Sequence, residues 1–262
     1  MKIASWNLCF DNQFQFENLN ILLSKHDPDI VCLQEVNQKM LDILGTSSDF
    51  SAWNFTSCRD FERHEKYRFS EDLEESIQNS VAFLVIMSKE KFTQGNEEFT
   101  HHLPLKPSMA TRHFRILQPR KFQFIDIKGF RIFNLHLEVS SGSARRKSEF
   151  NKVLSFFKKD GGGNIICGDL NIFSKFWINI LIGWGFNFSI RDYFTNERRA
   201  FNRIFKKNAL INVFSKKITF PKLRMQLDHI LIPRGTNVKQ VLLAKSPFDS
   251  DHKYIFVELD NC

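Results

Sequence analysis

The sequence predicts an α/β (α+β) fold: two packed mixed β-sheets with helices outside, a four-layer α/β/β/α sandwich. Three observations carry this. Short apolar runs of strand length, such as Ile30–Leu33, Val81–Ile86 and Asn164–Cys167, recur from end to end. Stretches with helical spacing are few, too few to cover both faces of one long parallel sheet. The two kinds of segment interleave without a regular βαβ alternation, which favours sheet packed on sheet with helices outside.

The elements follow in order. Lys2 to Cys9 reads as a short central strand. Leu19, Leu22 and Leu23 give a helical stripe that runs to His26, where Asp27-Pro28-Asp29 stops it. Ile30 to Leu33 is a fully apolar strand ending at Gln34-Glu35. Charged residues 57 to 79 read as a loop, Val81 to Ile86 as a strand, and Thr100 to Pro119, rich in His, Pro and basic residues, as a long surface loop. Lys121–Ile127 and Arg131–Leu137 form a hairpin about Lys128-Gly129. Ser140–Ser143 caps a helix from Ala144 to Phe157 whose Phe150, Val153, Leu154 and Phe157 share one face. Gly161-Gly162-Gly163 precedes the strand Asn164–Cys167. A further helix covers about Glu197 to Lys207, and strands at Leu227–Ile232, Val238–Leu243 and Tyr254–Leu259 complete the chain.

The chain has 262 residues, 42% of them hydrophobic, enough for a large core. A single domain, 1–262, is expected, because any split in the middle would divide the polar clusters described below. Cys9, Cys32, Cys58, Cys167 and Cys262 show no metal-finger spacing. Their odd number, and the strand-like setting of Cys9, Cys32 and Cys167, fit reduced buried thiols. The first residues are too polar for a signal peptide and no run is long enough to span a membrane, so a cytoplasmic location is expected.

The formal charge is +8, unevenly spread. Residues 112–150 carry nine Lys or Arg against three acids, and residues 191–224 carry ten against two. Such fields attract polyanions, so a nucleic acid is the expected partner; an anionic bilayer or a phosphorylated small molecule fits the same charge. The sequence points to no obligate protein partner.

Small polar clusters end or interrupt the apolar runs: Asn7, Gln34-Glu35, Gly168-Asp169-Leu170-Asn171, Leu227-Asp228-His229 and Ser250-Asp251-His252. A carboxylate in an apolar strand is costly unless something pairs with it. Their spread along the chain implies one site assembled from many strand ends. Phosphodiester hydrolysis needs such a set: neutralised phosphoryl oxygens, an aligned water and help for the leaving oxygen. Glu35 is the first expected metal ligand. Mg²⁺, with Mn²⁺ as a substitute, suits a site with one or two carboxylates because it accepts oxygen ligands and keeps several waters.

Trp6-Asn7, Leu33-Gln34-Glu35, Asn134-Leu135-His136-Leu137, Gly168-Asp169-Leu170-Asn171, Leu227-Asp228-His229-Ile230 and Ser250-Asp251-His252 resemble, in order, the motifs of the endonuclease/exonuclease/phosphatase superfamily, of DNase-I-like fold. Thr219-Phe220-Pro221 looks like small bacterial members. The resemblance implies a metal-dependent phosphoesterase, with Asp251 as second ligand or partner of a metal-bound water and Asn7 supplying an amide oxygen or a phosphate contact. Asp169 is then the residue that orients or deprotonates the water. Asn171, pointing the same way if the strand continues, bonds phosphate. Asp228 orients His252, whose imidazolium stabilises the phosphorane.

His229, on the opposite side of the strand, is read as a neighbour only. The resemblance places a tyrosine at the position of His136 in the AP-endonuclease-like branch. Histidine is usual there in phosphatase, sphingomyelinase and DNase-I-like branches. Arg120 and Arg146 are candidate substrate-binding residues; otherwise Arg120 caps a strand, and Arg146 braces the site or lies on a solvated helix face. A nuclease is the leading expectation. A sphingomyelinase-like, phosphoinositide or sugar-phosphate enzyme is the alternative, because Phe173–Ile190 is rich in Trp and Phe, including Trp177 and Trp184, and would enter a bilayer interface if exposed.

Overall fold

The computed structural model describes residues 1–65, 79–99, 114–117, 120–139, 141–159, 161–175, 179–180, 183, 188–245, 247–248 and 250–260. Within them two mixed sheets pack face to face between helices, a DNase-I-like α/β/β/α sandwich. Sheet A has the order β12-β13-β1-β2-β4-β3-β6 and sheet B the order β10-β11-β9-β8-β7-β5. Their strands, in chain order, are β1 (Lys2–Asn7), β2 (Ile30–Val36), β3 (Asn54–Glu65), β4 (Asn79–Ser88), β5 (Thr93–Glu98), β6 (Phe114–Leu117), β7 (Lys121–Ile127), β8 (Phe130–His136), β9 (Gly163–Asp169), β10 (Leu210–Asn212), β11 (Asp228–Pro233), β12 (Val238–Ala244) and β13 (Tyr254–Leu259). The helices are α1 (Gln15–His26), α2 (Gln38–Thr46), α3 (Ser143–Ser155), the single turn α4 (Ile190–Tyr193) and α5 (Glu197–Lys207).

Each sheet holds one parallel pair near its centre, β1 with β2 and β8 with β9. Parallel neighbours need a crossover, and the helices α1 and α3 supply it. The apolar residues sort into three layers. Ile3, Cys32, Ile86, Ile125, Ile132, Cys167, Ile230 and Ile255 fill the space between the sheets. Trp6, Leu33 and Val85 face outward from sheet A against Leu19, Leu22, Met40 and Leu44 of α1 and α2. Phe133, Leu135 and Ile166 do the same from sheet B against Phe150, Val153, Phe201 and Phe205 of α3 and α5. Central strands buried on both faces explain why β1, β2 and β9 read as continuous apolar runs rather than alternating ones. Truncating Phe150, which meets the Phe201 ring edge-on at 5.6 Å, would cost about 3–5 kcal/mol.

A polar clasp crosses the inter-sheet core. Gln34 Nε2 donates to Asn134 Oδ1 at 2.7 Å, and Asn134 Nδ2 donates to the carbonyls of Leu33 and Val85. It fixes the end of β2 against β8, one residue before Glu35 and two before His136.

Two expectations are corrected. The charged stretch after Ser57 is strand, not loop, as far as Glu65, because β3 pairs along its length with β4; residues 66–78 lie outside the described residues. Within the expected surface loop Thr100–Pro119, Phe114–Leu117 forms β6 on the edge of β3, while 100–113 and 118–119 lie outside them. α2 and β5 were not expected from the sequence. No disulfide joins Cys9, Cys32, Cys58 or Cys167, and no described helix is long and apolar enough to cross a membrane.

Candidate active site

The topology brings the polar clusters to one edge of the sandwich. Asn7 ends β1 opposite Gln34 of β2, His136 ends β8 opposite Asp169 of β9, and Asp228 opens the antiparallel β11 opposite Asp169. Gly168 makes the second of these approaches, β9 to β8, possible. Its φ is +135°, and a Cβ there would lie 1.9 Å from the carbonyl oxygen of Leu135, so only glycine lets β9 close on β8 beside His136. Glu35 reaches the site by a β-bulge between Leu33 and Val36, with φ +55°, which turns its side chain out of the strand alternation. Ser250 Oγ donates to the carbonyl of Asn7 at 3.0 Å and accepts from the Trp6 indole at 3.1 Å, tying the loop that bears His252 to the end of β1.

Asp169 stands at the centre. Its Oδ2 lies 3.8 Å from Nε2 of His136 and 3.9 Å from Nε2 of His252, and accepts from Asn7 Nδ2 at 3.1 Å. The other hydrogen of that amide goes to Glu35 Oε1 at 3.0 Å, so Asn7 bridges the two acids. Each imidazole is backed by a carboxylate: Nδ1–H of His252 donates to Asp228 Oδ2 at 2.9 Å, and Nδ1–H of His136 donates to Asp60 Oδ2 at 2.5 Å. Two histidine–aspartate dyads therefore bring their outer nitrogens to Asp169, and that of His136 lies equally near Glu35 Oε1, at 3.7 Å.

Asp60 was not anticipated from the sequence. It sits in the bulge between Arg59 and Phe61 on β3, and its other oxygen accepts from Arg120 at 2.9 Å. An alternating signal at Cys58, Asp60 and Phe61 is interrupted by that bulge, which is why the segment read as loop.

The electrostatics assign roles. Burial opposes the charge on His252, but the Asp228 carboxylate overcomes it, with help from Asp169 and Asp251, and carries the imidazole up to about 10. Burial opposes the charge on His136 likewise, and Asp60 overcomes it and raises the imidazole from its ordinary value, Arg120 working against the rise. Asp60 is held below the ordinary carboxylate range despite burial, by His136 and then Arg120. His252 is thus a proton donor near neutrality rather than a base, and Asp60 favours the same form of His136. His229 contrasts with them. Burial, against Phe205, and then Arg198 nearby push it down to about 3 despite its Nδ1–H donating to the Leu227 carbonyl at 2.7 Å, and it stays neutral.

Ligand atoms of Asp169, Asp228 and His252 lie within 4.8 Å of one another, close enough to share a metal ion. Asp228 Oδ1 is buried without a hydrogen-bond partner among the described residues, the kind of orphaned oxygen that a cation satisfies. The chemistry of the set, carboxylates from Glu35, Asp169, Asp228 and Asp251, fits a hard divalent cation. His252 would have to shed its Nε2 proton to join, which Asp228 opposes, so oxygen donors suit the ion better.

The remaining expected residues fall as follows. Asp251 is partly open, with Oδ1 4.0 Å from His252 Nε2 and Oδ2 3.2 Å from the Lys222 ammonium. Asn7 turns its amide oxygen to the backbone N–H of Cys9 at 2.9 Å and its nitrogen to the acids, a bridging orientation rather than the expected oxygen donor. The strand does not continue to Asn171, whose φ is +49°. Its N–H closes an Asx turn on Asp169 Oδ1 at 3.0 Å, and its side-chain nitrogen bonds the Leu137 carbonyl at 3.0 Å.

Arg120 and Arg146 are corrected as substrate contacts, because both are buried. Arg120 pairs with Asp60 and lies 3.7 Å from Glu138. Arg146 holds both oxygens of Glu197, at 2.8 and 3.0 Å, and the carbonyls of Glu138 and Ser141, bracing the loop before α3. Phe173 and Phe188 stack over its guanidinium, so Phe173 belongs to the packing and not to a bilayer-facing surface. Trp177 and Trp184, on which the lipid expectation rested, lie outside the described residues.

A family model described as Endonuclease/Exonuclease/phosphatase family matches residues 4–252. The chain belongs to this family. Its site, with the Asp169, Asp228 and His252 cluster, is that of a metal-dependent hydrolase. Among solved structures the chain is similar to an endonuclease/exonuclease/phosphatase family protein from Leptotrichia buccalis C-1013-b, at 15% identity and TM-score 0.63, covering 99% of both chains. A functionally unknown conserved protein from Enterococcus faecalis V583 (17%, TM-score 0.62, 99% of both) is similar too. So is a 3′ phosphatase, NExo from Neisseria, bound to product DNA hairpin (16%, TM-score 0.62, 99% of both). At such identities these likenesses establish the fold alone. No curated protein matches the sequence.

Proposed function

We propose that the protein is a Mg²⁺-dependent phosphodiesterase acting on nucleic acid, by in-line attack of a water on phosphorus. The observation that carries the chemistry is the convergence of the two imidazoles on Asp169, at 3.8 and 3.9 Å. In this reading Asp169 Oδ2 orients the attacking water and takes its proton. His252, kept protonated by Asp228, donates to a phosphoryl oxygen or to the leaving oxygen, and His136 donates to a second phosphoryl oxygen. Glu35 and Asp251 would hold the divalent ion, with Asp169 and Asp228 Oδ1 within reach of it. When bound, the ion supplies charge neutralisation to the phosphate oxygens. Arg120 and Asp60 act behind His136 as positioning residues, and Arg146 holds the loop that follows β8.

Nucleic acid is favoured as substrate by the basic stretch 191–224, ten Lys or Arg against two acids, which leads through Lys222 to the site. The Neisseria enzyme of similar fold, seen with a DNA hairpin, is consistent with that class. The test is a panel of duplex DNA, abasic DNA, RNA, sphingomyelin, phosphoinositides and a generic bis-ester, each with Mg²⁺ and with chelator. Chelator-sensitive cleavage of a nucleic acid above the other classes supports the reading. Preferred turnover of a lipid or a small phosphate ester overturns its substrate.

A further inference from the structure

Lys222 stands at the mouth of the site on an unusually well-fixed turn. Pro221 opens the 3₁₀ turn Pro221–Leu223, and Arg224 closes it in the left-handed region, φ +52°, with its N–H on the Pro221 carbonyl at 3.0 Å. Below it Phe220 and Met225 exchange two backbone bonds, at 2.9 and 3.1 Å. Thr219 anchors the base twice over. Its hydroxyl accepts from the N–H groups of Leu227 and Asp228 at 2.9 and 3.0 Å, and its carbonyl accepts from the N–H of Lys253, next to His252, at 2.8 Å. Lys175 Nζ donates to the Leu223 carbonyl at 2.9 Å, and the Phe220 ring lies 4.8 Å from that of His252. The turn is thus bonded to both members of the Asp228–His252 dyad's surroundings, and the base of the Lys222 stem is set relative to the reacting atoms.

The ammonium itself is not enclosed. Its side chain is 70% exposed, and its partner is Asp251 Oδ2 at 3.2 Å, whose other oxygen is 4.0 Å from His252 Nε2. An ion pair this exposed contributes little, so one anion readily exchanges for another there. Lys222 and Arg224 are both exposed on this turn, and the Lys222 ammonium, beside Asp251, stands at the rim of a centre made of Glu35, Asp169, Asp228 and Asp251. Carboxylates in the centre repel an approaching phosphate, and cations placed at the rim offset that repulsion.

We propose that Lys222 is a substrate-binding residue whose ammonium holds a phosphate neighbouring the one being cleaved, so that the site prefers a chain of linked phosphodiesters to an isolated phosphodiester. This rests on the nuclease reading above. The experiment compares wild type, Lys222→Gln, Lys222→Arg and, as a control for lost charge, Lys239→Gln. Lys239 is exposed and pairs with Glu258 at the end of the sheet where Lys2 starts β1, about 16 Å of strand from Asn7. Cleavage of a single-stranded oligonucleotide and of bis(p-nitrophenyl) phosphate is measured with Mg²⁺ over a range of salt.

In Lys222→Gln the ratio of kcat/KM for the oligonucleotide to that for the bis-ester falls about tenfold, chiefly through KM, and the salt dependence of oligonucleotide binding becomes shallower by about one. Lys222→Arg keeps most of the ratio, and Lys239→Gln leaves it at the wild-type value. A ratio in Lys222→Gln within about twofold of wild type, or an equal loss in Lys222→Arg, overturns the assignment of Lys222 while leaving the nuclease reading standing. Wild-type protein that cleaves the bis-ester but no oligonucleotide overturns both.

Discussion

The two histidine–aspartate dyads look alike and are built differently. Asp60 has both oxygens engaged, one by His136 and one by Arg120, inside a buried cluster that extends to Glu138. Asp228 gives one oxygen to His252 and leaves the other buried without a hydrogen-bond partner among the described residues. The first dyad is closed, with its charge balanced by protein alone. The second is open on one side, which is where a divalent ion would complete it. Orientation of one imidazole is thus a matter of folding, and that of the other is coupled to whatever cation the site takes up.

Substitutions can break this comparison at its strongest point first. His252→Ala is expected to lower kcat/KM on the authentic substrate by about 10³ or more under conditions where the variant is fully folded, and to lower the thermal unfolding transition as well, because His252 is buried and its removal leaves the Asp228 carboxylate unpaired. Steady-state kinetics beside a melting curve checks both halves. Asp60→Asn and Asp228→Asn should each cost about 10² in kcat, and Asp60→Asn should destabilise the more, by about 3–5 kcal/mol, since it deprives both His136 and the buried Arg120 guanidinium of their anion. Equal chemical-denaturation midpoints for the two variants would erase the distinction between closed and open dyads. Glu35→Gln is expected to weaken Mg²⁺ binding about tenfold or more in a calorimetric titration, and an unchanged affinity would remove Glu35 from the ligand set.

A separate effect, on stability alone, concerns the acids behind the closed dyad. Burial, reinforced by Glu138, raises Glu149 to about 7, against 4.5 for the free side chain. Between those values the folded protein binds a proton that the unfolded chain has lost, so stability falls as pH rises through that window. Glu149→Gln keeps an oxygen for the N–H of Glu138 and has no charge to bury. It should therefore abolish this slope and be more stable than wild type at pH 8, by up to about 3 kcal/mol. Denaturant titrations of both proteins at pH 5 and pH 8 measure it.

The open dyad was legible in the sequence and the closed one only half so. Asp228 and His252 lie in clusters that end apolar runs, where a carboxylate and an imidazole stand out. Asp60 lies among Arg59, Glu62 and Arg63, in a charged run that reads as loop until its pairing with β4 is seen. Glu35 and Asp60 both depend on bulges, and a bulge leaves no mark in a period-two pattern except a break in it. The layers were readable for a different reason: strands covered on both faces are continuously apolar, so β1, β2 and β9 announced themselves, whereas the more polar β5 and edge strand β6 did not. Arg120 and Arg146 were recognisable as important, but a sequence does not show that a guanidinium is buried among carboxylates instead of facing a substrate.

The central claim is that water oriented by Asp169 attacks phosphorus directly, with both histidines acting only as proton donors. The alternative chemistry open to a site with two imidazoles is attack by one of them, giving a phosphohistidine and then its hydrolysis. The stereochemical course separates these outcomes. Hydrolysis of a phosphorothioate diester of known configuration in ¹⁸O-water should proceed with inversion at phosphorus, and net retention would contradict the account.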